Sequence, residues 1–453
     1  MRSLRLDLAL INFQSPHHQE KIVRNILFSS LVIAILVFGY VFSLLSRTTP
    51  WADEWQMVLY KQLPFSEFVS WLFTQHNDHR IVIQRLIQQS ILYFYGYDFR
   101  VLTLVNTLMM IVSAYLMLKI FRLYRGSSAL VDLAVIASLC AVGSNAVYWS
   151  STFAFPATNL GVITLGYAWT LRLRQGHSRR YAFYAFVALV SGPLISGGGL
   201  VASTALVLFL GILRFARRDC PQPVGKFGLI VAGLVCLISW HYFVPSGATG
   251  FRADRILGLT IGMGGGSLFL SQWPHEYIKD IFVTGAIVVT ALVLTNRLFR
   301  ATPMSVFEVP VTAIFFAISC VTLSVIIGRS ANAAWFPELK NHYGIVTAPL
   351  VPIVVLIFNQ MKYLRTLTII ILLLTFLSYS SSFASVTRYL EYSRSTNLNA
   401  LQQIIQSNDL EKTLATNWLD FWYRDDDRSL IPSIAIKARY LQEFGGRWYK
   451  RDG

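Results

Sequence analysis

Long apolar runs recur through this sequence, and most are long enough, or nearly so, for a helix to cross the roughly 30 Å hydrocarbon layer of a bilayer. Nine such runs lie near residues 26–45, 101–121, 129–149, 157–173, 226–244, 279–298, 309–328, 344–361 and 366–385. Only 14% of the residues are charged and 54% are hydrophobic, a balance outside the range of soluble domains. Because lipid offers the backbone no hydrogen-bond partners, these runs are expected to be helices. The sequence therefore predicts an all-α polytopic membrane protein.

A further apolar run, over residues 181–213, is too long for one crossing. It is interrupted by Ser-Gly-Pro at 191–193 and by three glycines at 197–199. Proline and clustered glycines are typical of helix boundaries. We therefore expect two short helices that meet at the glycines, which brings the total to about eleven membrane-spanning helices.

The net charge of +16 would suggest nucleic-acid binding in a soluble protein, but here it follows the positive-inside rule. Basic residues cluster in the short loops, and all the clusters fall on one side if the glycine hairpin counts as two crossings. The clusters are Lys21 with Arg24, Arg122 with Arg125, Arg172 with Arg174, Arg179 and Arg180, Arg214 with Arg217, Arg218 and Lys226, Arg297 with Arg300, and Lys362 with Arg365. This side is predicted to be the cytoplasm, with the amphipathic N-terminus (1–25) on it, and no nucleic-acid partner is expected.

The larger polar segments then share the opposite side of the membrane. They are the first loop (46–100), residues 150–156, the hairpin tip, residues 245–278 and 329–343, and the C-terminal segment (386–453) that follows the membrane domain (26–385). Apolar positions at helical spacing predict interfacial helices over 56–73 and 81–95. Residues 256–272 are predicted to be re-entrant or interfacial, since a crossing there would break the charge pattern. The C-terminal segment is expected to form a small cap, whose aromatic residues either fill its core or stack on sugar rings.

Two adjacent carboxylates, Asp53 and Glu54, follow the first apolar run and are bracketed by Trp51 and Trp55. A carboxylate at this position is suited to act as a general base that deprotonates an acceptor hydroxyl. The alternative is that Asp53 caps a helix or is a solvated loop residue, because aspartate is a common capping residue.

A second polar cluster follows about twenty residues later and contains His76, Asn77, Asp78, His79 and Arg80, with Arg85 beyond it. Histidine and arginine side chains at helical spacing can bind a phosphate, and arginine offers it two parallel hydrogen bonds. The alternative is that Arg80 and Arg85 extend to lipid headgroups. The spacing matches no strong zinc pattern, and the four widely spaced cysteines imply no disulfide framework.

A third group on the same side consists of Arg329, Lys340, His342 and Tyr343. It could supply the other half of a phosphate-binding site. Arg329 lies directly at the end of an apolar run, so membrane anchoring is the alternative.

These features, in this order, resemble the GT-C superfamily of integral-membrane glycosyltransferases. The resemblance rests on the Asp53-Glu54 pair in the first outer loop, on His79-Arg80 with Arg85 downstream, and on Arg329 and His342-Tyr343. Within the superfamily the chain is similar to bacterial serotype-converting O-antigen glucosyltransferases. The resemblance implies an inner-membrane enzyme with a cytoplasmic N-terminus and a periplasmic C-terminus. It would transfer one sugar, glucose or another hexose, from a polyprenyl-phosphate donor such as undecaprenyl phosphate to a lipopolysaccharide-type glycan, with inversion.

The resemblance also implies residue roles. Asp53 would be the general base and Glu54 its alternate or a positioning group. The donor phosphate would be bound by His79, Arg80, Arg85, Arg329 and His342. The pocket around donor and acceptor would include Trp51, Trp55, His76, Asn77, Asp78, Lys340 and Tyr343. One departure is His342, where the resemblance leads one to expect an arginine before the tyrosine. The charge of histidine at neutral pH is conditional, so the phosphate-binding role of His342 depends on its protonation.

No cofactor is required for this chemistry, although the two acids leave a divalent cation open. The expected partners are the lipid-linked sugar, the glycan acceptor and membrane lipids. Two other functions remain open: a glycan polymerase or ligase that uses a lipid-linked oligosaccharide, and a lipid or glycan transporter, which would need paired repeats or charges at mid-bilayer.

Overall fold

The computed structural model describes the chain in segments, and all statements on structure below refer to these. The described residues are 16–45, 49–50, 52–59, 63–74, 80–140, 150–176, 178–216, 221–243, 252–266, 276–299, 305, 307–330, 343–421, 425–444 and 449. Their regular structure is entirely helical, with no strand in these segments. The predicted all-α class is therefore confirmed.

The helices follow one another in an order that matches the apolar runs of the sequence. They are α1 (Pro16–Leu45), α2 (Phe65–Phe73), α3 (Val82–Phe94), α4 (Phe99–Arg125), α5 (Leu133–Leu139), α6 (Ala154–Gln175), α7 (Arg179–Ile195), α8 (Gly197–Ala216), α9 (Lys226–Phe243), α10 (Ala253–Gly266), α11 (Glu276–Phe299), α12 (Glu308–Arg329), α13 (343–347), α14 (Leu350–Gln360), α15 (Arg365–Gln406), α16 (Leu410–Thr416), α17 (Trp418–Phe421) and α18 (Ile431–Phe444). Short 3₁₀ helices lie at Ala52–Met57, Leu130–Asp132, Ser150–Phe153, Lys362–Leu364 and Asp425–Leu430.

Six segments of the described chain are long and apolar enough to cross a membrane. They are His18–Tyr40, Phe99–Arg125, Gly197–Phe215, Tyr277–Phe299, Glu308–Gly328 and Tyr343–Gln360. Two shorter apolar helices, Leu130–Leu139 and Lys226–Tyr242, accompany them. The chain is thus a multi-pass membrane protein.

Polar side chains connect several helices at one end of the bundle. Arg122 at the end of α4 lies 3.2 Å from the carboxylate of Glu20 on α1. The amide of Gln360 on α14 donates to the hydroxyl of Tyr124 at 2.6 Å and accepts from Arg297 on α11 at 3.3 Å. Arg297 also pairs with Glu308 at the start of α12. Several of the basic loops that the sequence assigns to one side therefore meet at one end of the bundle.

The predicted break in the long apolar run is confirmed. Helix α7 ends at Ile195, and Ser196, with extended backbone (φ −172°, ψ 173°), separates it from α8. The two helices are in backbone contact: a Cβ built on Gly199 would lie 2.2 Å from the carbonyl oxygen of Gly192. Glycine is therefore required on both helices because any side chain would separate them.

Helix α10 covers most of the segment predicted to be re-entrant or interfacial. Its 14 residues extend about 21 Å, less than the hydrocarbon thickness. It packs closely on α11, where a Cβ built on Gly264 would lie 2.2 Å from the hydroxyl of Thr284. Residues 267–272 of the predicted segment lie outside the described residues.

The C-terminal segment and the first loop share one hydrophobic core. Helix α15 runs for 42 residues, across the predicted boundary at residue 386, and α16 to α18 follow it. The core contains Trp55, Met57, Val58, Ile81, Leu92, Tyr97, Phe99 and Leu102 from the first part of the chain, and Ala400, Ile404, Leu410, Leu414, Trp418, Phe421, Ile431, Ile434, Ala435, Ala438, Leu441 and Tyr449 from the last. The cap is thus built jointly by residues from both ends of the sequence.

Candidate functional site

Several segments that the sequence places on the outer side of the membrane meet at one end of the bundle. The short helix Ala52–Met57, called here the acid turn, contacts α3 and the 3₁₀ helix Ser150–Phe153. The ring of Tyr343 on α13 lies edge-on to Phe155, with 5.1 Å between centroids. The side-chain amide of Asn159 donates to the backbone oxygen of Ile345 at 2.7 Å. The first loop, residues 150–156 and the start of the 343–360 segment therefore surround the same region.

The acid turn carries the predicted catalytic pair. The Glu54 side chain is only 5% exposed. Burial raises the pKa of the Tyr449 phenol well above its usual value, and the nearby carboxylates of Asp98 and Glu54 raise it further. Asp53 lies within the turn, but its side chain, like the whole of Trp51, lies outside the described residues.

Trp55, predicted to line the pocket, is almost fully buried in the shared core. Its ring packs on Phe421, with 6.2 Å between centroids. Its backbone oxygen accepts a hydrogen bond of 2.6 Å from the ammonium of Lys437 on α18. These contacts place its indole in the core of the cap; its role in a pocket stays a prediction.

The two arginines of the first loop have different surroundings. Arg80 is partly exposed, and its Nε donates to the backbone oxygen of Phe73 at 2.7 Å. Arg85 is 3% exposed and caps the C-terminal end of α2, donating to the backbone oxygens of Trp71 at 2.7 Å, Leu72 at 3.4 Å and Thr74. Its guanidinium carbon also lies 5.1 Å from the centroid of the Trp71 ring.

Helix ends favour such a cation because their last carbonyls are unpaired and carry the negative end of the helix dipole. Burial lowers the pKa of Arg85 to about 10, so the side chain is still charged at neutral pH. Arg85 thus has a structural role in joining α2 to α3, whereas Arg80 is the more accessible of the two cations.

The remaining predicted site residues are largely outside the described part of the chain. Tyr343 is described and is buried with Leu259, Met263 and Ile326, where α10, α12 and α13 meet. Arg329 ends α12, but its side chain is outside the description. Outside it entirely are His76, Asn77, Asp78, His79, Lys340 and His342.

Uncharged polar side chains are buried beside the acid turn. On α3, the amide of Gln84 donates to that of Gln88 at 3.1 Å, and both residues are 1% exposed. On α4, the amide of Asn106 lies 3.5 Å from the hydroxyl of Thr152, which belongs to the 3₁₀ helix that the acid turn contacts. These groups place hydrogen-bond donors and acceptors at the same end of the bundle as the acids.

Sequence reasoning missed three charged residues with buried contacts. Lys279 and Asp280, at the start of α11, form an ion pair of 3.0 Å with side chains 0% and 2% exposed. A charged pair at the edge of an apolar run was the available signal, since such residues are rarely buried without a role. Lys437 on the amphipathic helix α18 gave no signal, because a lysine on such a helix is usually solvated.

Among the described residues, no group of three histidine, cysteine, aspartate or glutamate side chains is placed to hold a metal ion. Comparison with sequence models of protein families, with characterised proteins and with solved structures finds no match to this chain. The fold itself defines the class, which is an all-α multi-pass membrane protein.

Proposed function

We propose that the protein is a glycosyltransferase of the GT-C type with about eleven membrane-spanning helices. It transfers a single sugar, glucose or another hexose, from a polyprenyl-phosphate donor to a lipid-linked or surface glycan of the O-antigen kind. The reaction takes place at the periplasmic face of a bacterial inner membrane. The observation that supports this proposal best is the location of the acid turn, which lies at the end of the membrane bundle between the shared core and Ser150–Phe153.

This location suits a donor whose isoprenoid chain stays in the lipid while its phosphosugar reaches the first loop. In the proposed reaction the Asp53 carboxylate takes the proton of an acceptor hydroxyl, and the oxygen attacks the anomeric carbon. The bond from that carbon to the phosphate oxygen breaks, and the polyprenyl phosphate leaves with the electron pair. Attack from the opposite face inverts the anomeric configuration.

The phosphate that departs carries negative charge, and fixed cations stabilise it. Arg80 is suited to this because Phe73 orients its guanidinium through one bond to Nε. His79, Arg329 and His342 complete the proposed phosphate site, whereas Arg85 caps α2. Helix α3, which carries the buried amides of Gln84 and Gln88, contacts the acid turn, and we propose that these amides belong to the walls of the reaction site.

The proposal is tested with the full chain in lipid nanodiscs, a polyprenyl-phosphate hexose and a glycan acceptor. Asp53→Asn is expected to lower kcat by about 100-fold or more, the usual contribution of a general base. Glu67→Gln is the matched control, because Glu67 is an exposed carboxylate on α2 of the same loop. Undiminished turnover in Asp53→Asn would remove Asp53 as the base.

Phosphate binding is tested separately with Arg80→Ala. We expect this change to raise the KM for the lipid-phosphate donor more than the KM for the acceptor, because only the donor carries the phosphate. An equal effect on both substrates would argue against the proposed clamp.

The size of the transferred group separates a sugar transferase from a polymerase or ligase. Mass spectrometry of the surface glycan with and without the protein is expected to show an increase of one hexose per repeat. A change in chain length with unchanged repeats would instead identify a polymerase or ligase.

A further inference from the structure

The C-terminal segment contacts the chain just before the acid turn and within it. Before the turn, the backbone N–H and the hydroxyl of Thr49 both donate to the side-chain oxygen of Asn397 on α15, at 3.4 and 3.0 Å. Within the turn, Lys437 donates to the backbone oxygen of Trp55 at 2.6 Å. The two acids of the turn therefore lie between two polar contacts supplied by residues about 350 to 380 positions away in the sequence.

A third contact anchors the end of the first loop. The phenol of Tyr449 is buried and donates to the backbone oxygen of Tyr97 at 3.1 Å. Tyr97 is the one described non-glycine residue with positive φ (61°), and its hydroxyl accepts from the amide of Gln89 at 3.1 Å. Beside this contact, the Asp98 carboxylate pairs with Arg100 at 2.6 Å. The C-terminal segment thus holds the first loop at its start and at its end.

Of these contacts, the bond from Lys437 acts most directly on the acids. Trp55 follows Glu54 immediately, and its backbone oxygen also closes the turn by accepting from the backbone N–H of Val58 at 3.3 Å. A lysine that is mostly buried loses hydration, which lowers its pKa to about 8. Burying most of an ammonium costs free energy, which a hydrogen bond to one carbonyl offsets only in part. The cap also has exposed positions for a lysine, as Lys412 shows.

We propose that Lys437 is a positioning residue for the acid turn: its bond to Trp55 fixes the orientation of the Asp53-Glu54 pair relative to the membrane bundle. The inference rests on the proposed function, in which these acids carry out the reaction. Lys437 acts through the backbone of the turn and contributes no proton to the reaction. The cap thereby becomes part of the active centre, since it supplies a contact that the membrane helices do not.

Two variants test the contact, and one matched variant serves as a control. Lys437→Met keeps most of the side-chain volume and removes the donor, whereas Lys437→Arg restores a donor. Lys412→Met makes the same chemical change at the exposed lysine on α16. We expect Lys437→Met to lower kcat by about 10- to 100-fold, the scale of an error of about 1 Å in the placement of a catalytic group, with donor KM changed less than about 3-fold. Lys437→Arg is expected to recover most of the loss, and Lys412→Met to behave as the unmodified protein.

Amide hydrogen exchange of the full chain in nanodiscs is a measurement that does not depend on activity. Lys437→Met is expected to accelerate exchange in peptides that cover 52–58 while leaving those from α4 unchanged. Faster exchange throughout the chain would indicate general destabilisation and would overturn a specific positioning role. Unchanged exchange over 52–58 would overturn it as well.

A double substitution separates positioning from an independent effect on turnover. If Lys437 acts through the acids, Lys437→Met should change the residual kcat of Asp53→Asn by less than about 2-fold, because coupled residues are not additive. A full multiplicative loss in the double variant would contradict the inference. If Asp53→Asn alone retains full activity, Asp53 is not the base; if the unmodified protein transfers no sugar, the proposed function fails. In both cases the exchange measurement still decides whether Lys437 holds the turn.

Discussion

Substitution of Gly199 by alanine tests the packing of the α7–α8 hairpin, which carries one of the segments at the site end of the bundle. A Cβ at this position would lie 2.2 Å from the backbone oxygen of Gly192, 2.9 Å from its carbonyl carbon and 3.2 Å from its Cα. An ordinary contact needs about 3.4 Å, so the helices must separate by about 1 Å, and a backbone carbonyl cannot rotate away as a side chain can. Overpacking of this kind costs about 1 to 3 kcal/mol.

Alanine also favours helix over glycine by about 1 kcal/mol, which offsets part of this cost. We expect a net destabilisation of up to about 2 kcal/mol for Gly199→Ala, measured as a lower thermal midpoint in detergent. Gly211→Ala is the matched control, because Gly211 lies on the same helix and nothing is within 4 Å of a Cβ built there. Its midpoint should be unchanged or higher. If Gly199→Ala were as stable as Gly211→Ala, close backbone packing at this crossing would be refuted.

Three further predictions concern buried charges. Asp280→Asn removes the carboxylate that pairs with the buried ammonium of Lys279 and should destabilise the protein by about 3 to 5 kcal/mol. Replacing both residues with Met and Leu should recover most of this loss in the same thermal assay. The pKa of Lys437 is lowered from its usual value to about 8, so between pH 8 and about 10 the unfolded chain binds a proton that the folded chain does not. The contribution of Lys437 to stability should therefore increase with pH over this window, so the midpoint measured from pH 7 to 10 should gain less with pH in Lys437→Met than in the unmodified protein; the same slope in both proteins would contradict the shift. Arg85→Met removes the hydrogen bonds to the end of α2 and should speed amide exchange in Phe65–Phe73; unchanged exchange there would contradict the capping role.

The helical class, the helix order and the hairpin break were predictable because each depends on local properties. The length of an apolar run limits whether a helix can cross lipid, and clustered Gly and Pro disfavour a continuous helix wherever the rest of the chain lies. The helices of the first loop were also predicted, although the first of them is shorter than expected: the acid turn at Ala52–Met57 and α2 at Phe65–Phe73 replace one helix over 56–73. Residues 63 and 64, just before α2, are not helical, because Pro64 at its N-cap lacks the backbone N–H that a preceding turn of helix would need.

The candidate site was predictable only as a set of residues on one side of the membrane. The sequence indicated Arg85 as a phosphate ligand or a lipid contact, but neither reading included the capping of α2, which depends on how α2 folds back against α3. Trp418 and Phe421 likewise had two readings, sugar stacking or cap core, and the structure buries both in the core. The choice depends on which surfaces face each other, and helical periodicity does not contain that information.

The sequence by itself determined that this chain is a helical membrane protein, where most of its helices lie and where the acid pair and the cations fall along it. The tertiary structure alone decided that the first loop and the C-terminal segment share one core, that Lys437 contacts the acid turn and that Lys279 and Asp280 are buried together. The physical reason is that hydropathy, charge and turn chemistry act over a few residues. Contacts between positions 55 and 437 instead arise from the shape of two surfaces that form only after both segments have folded.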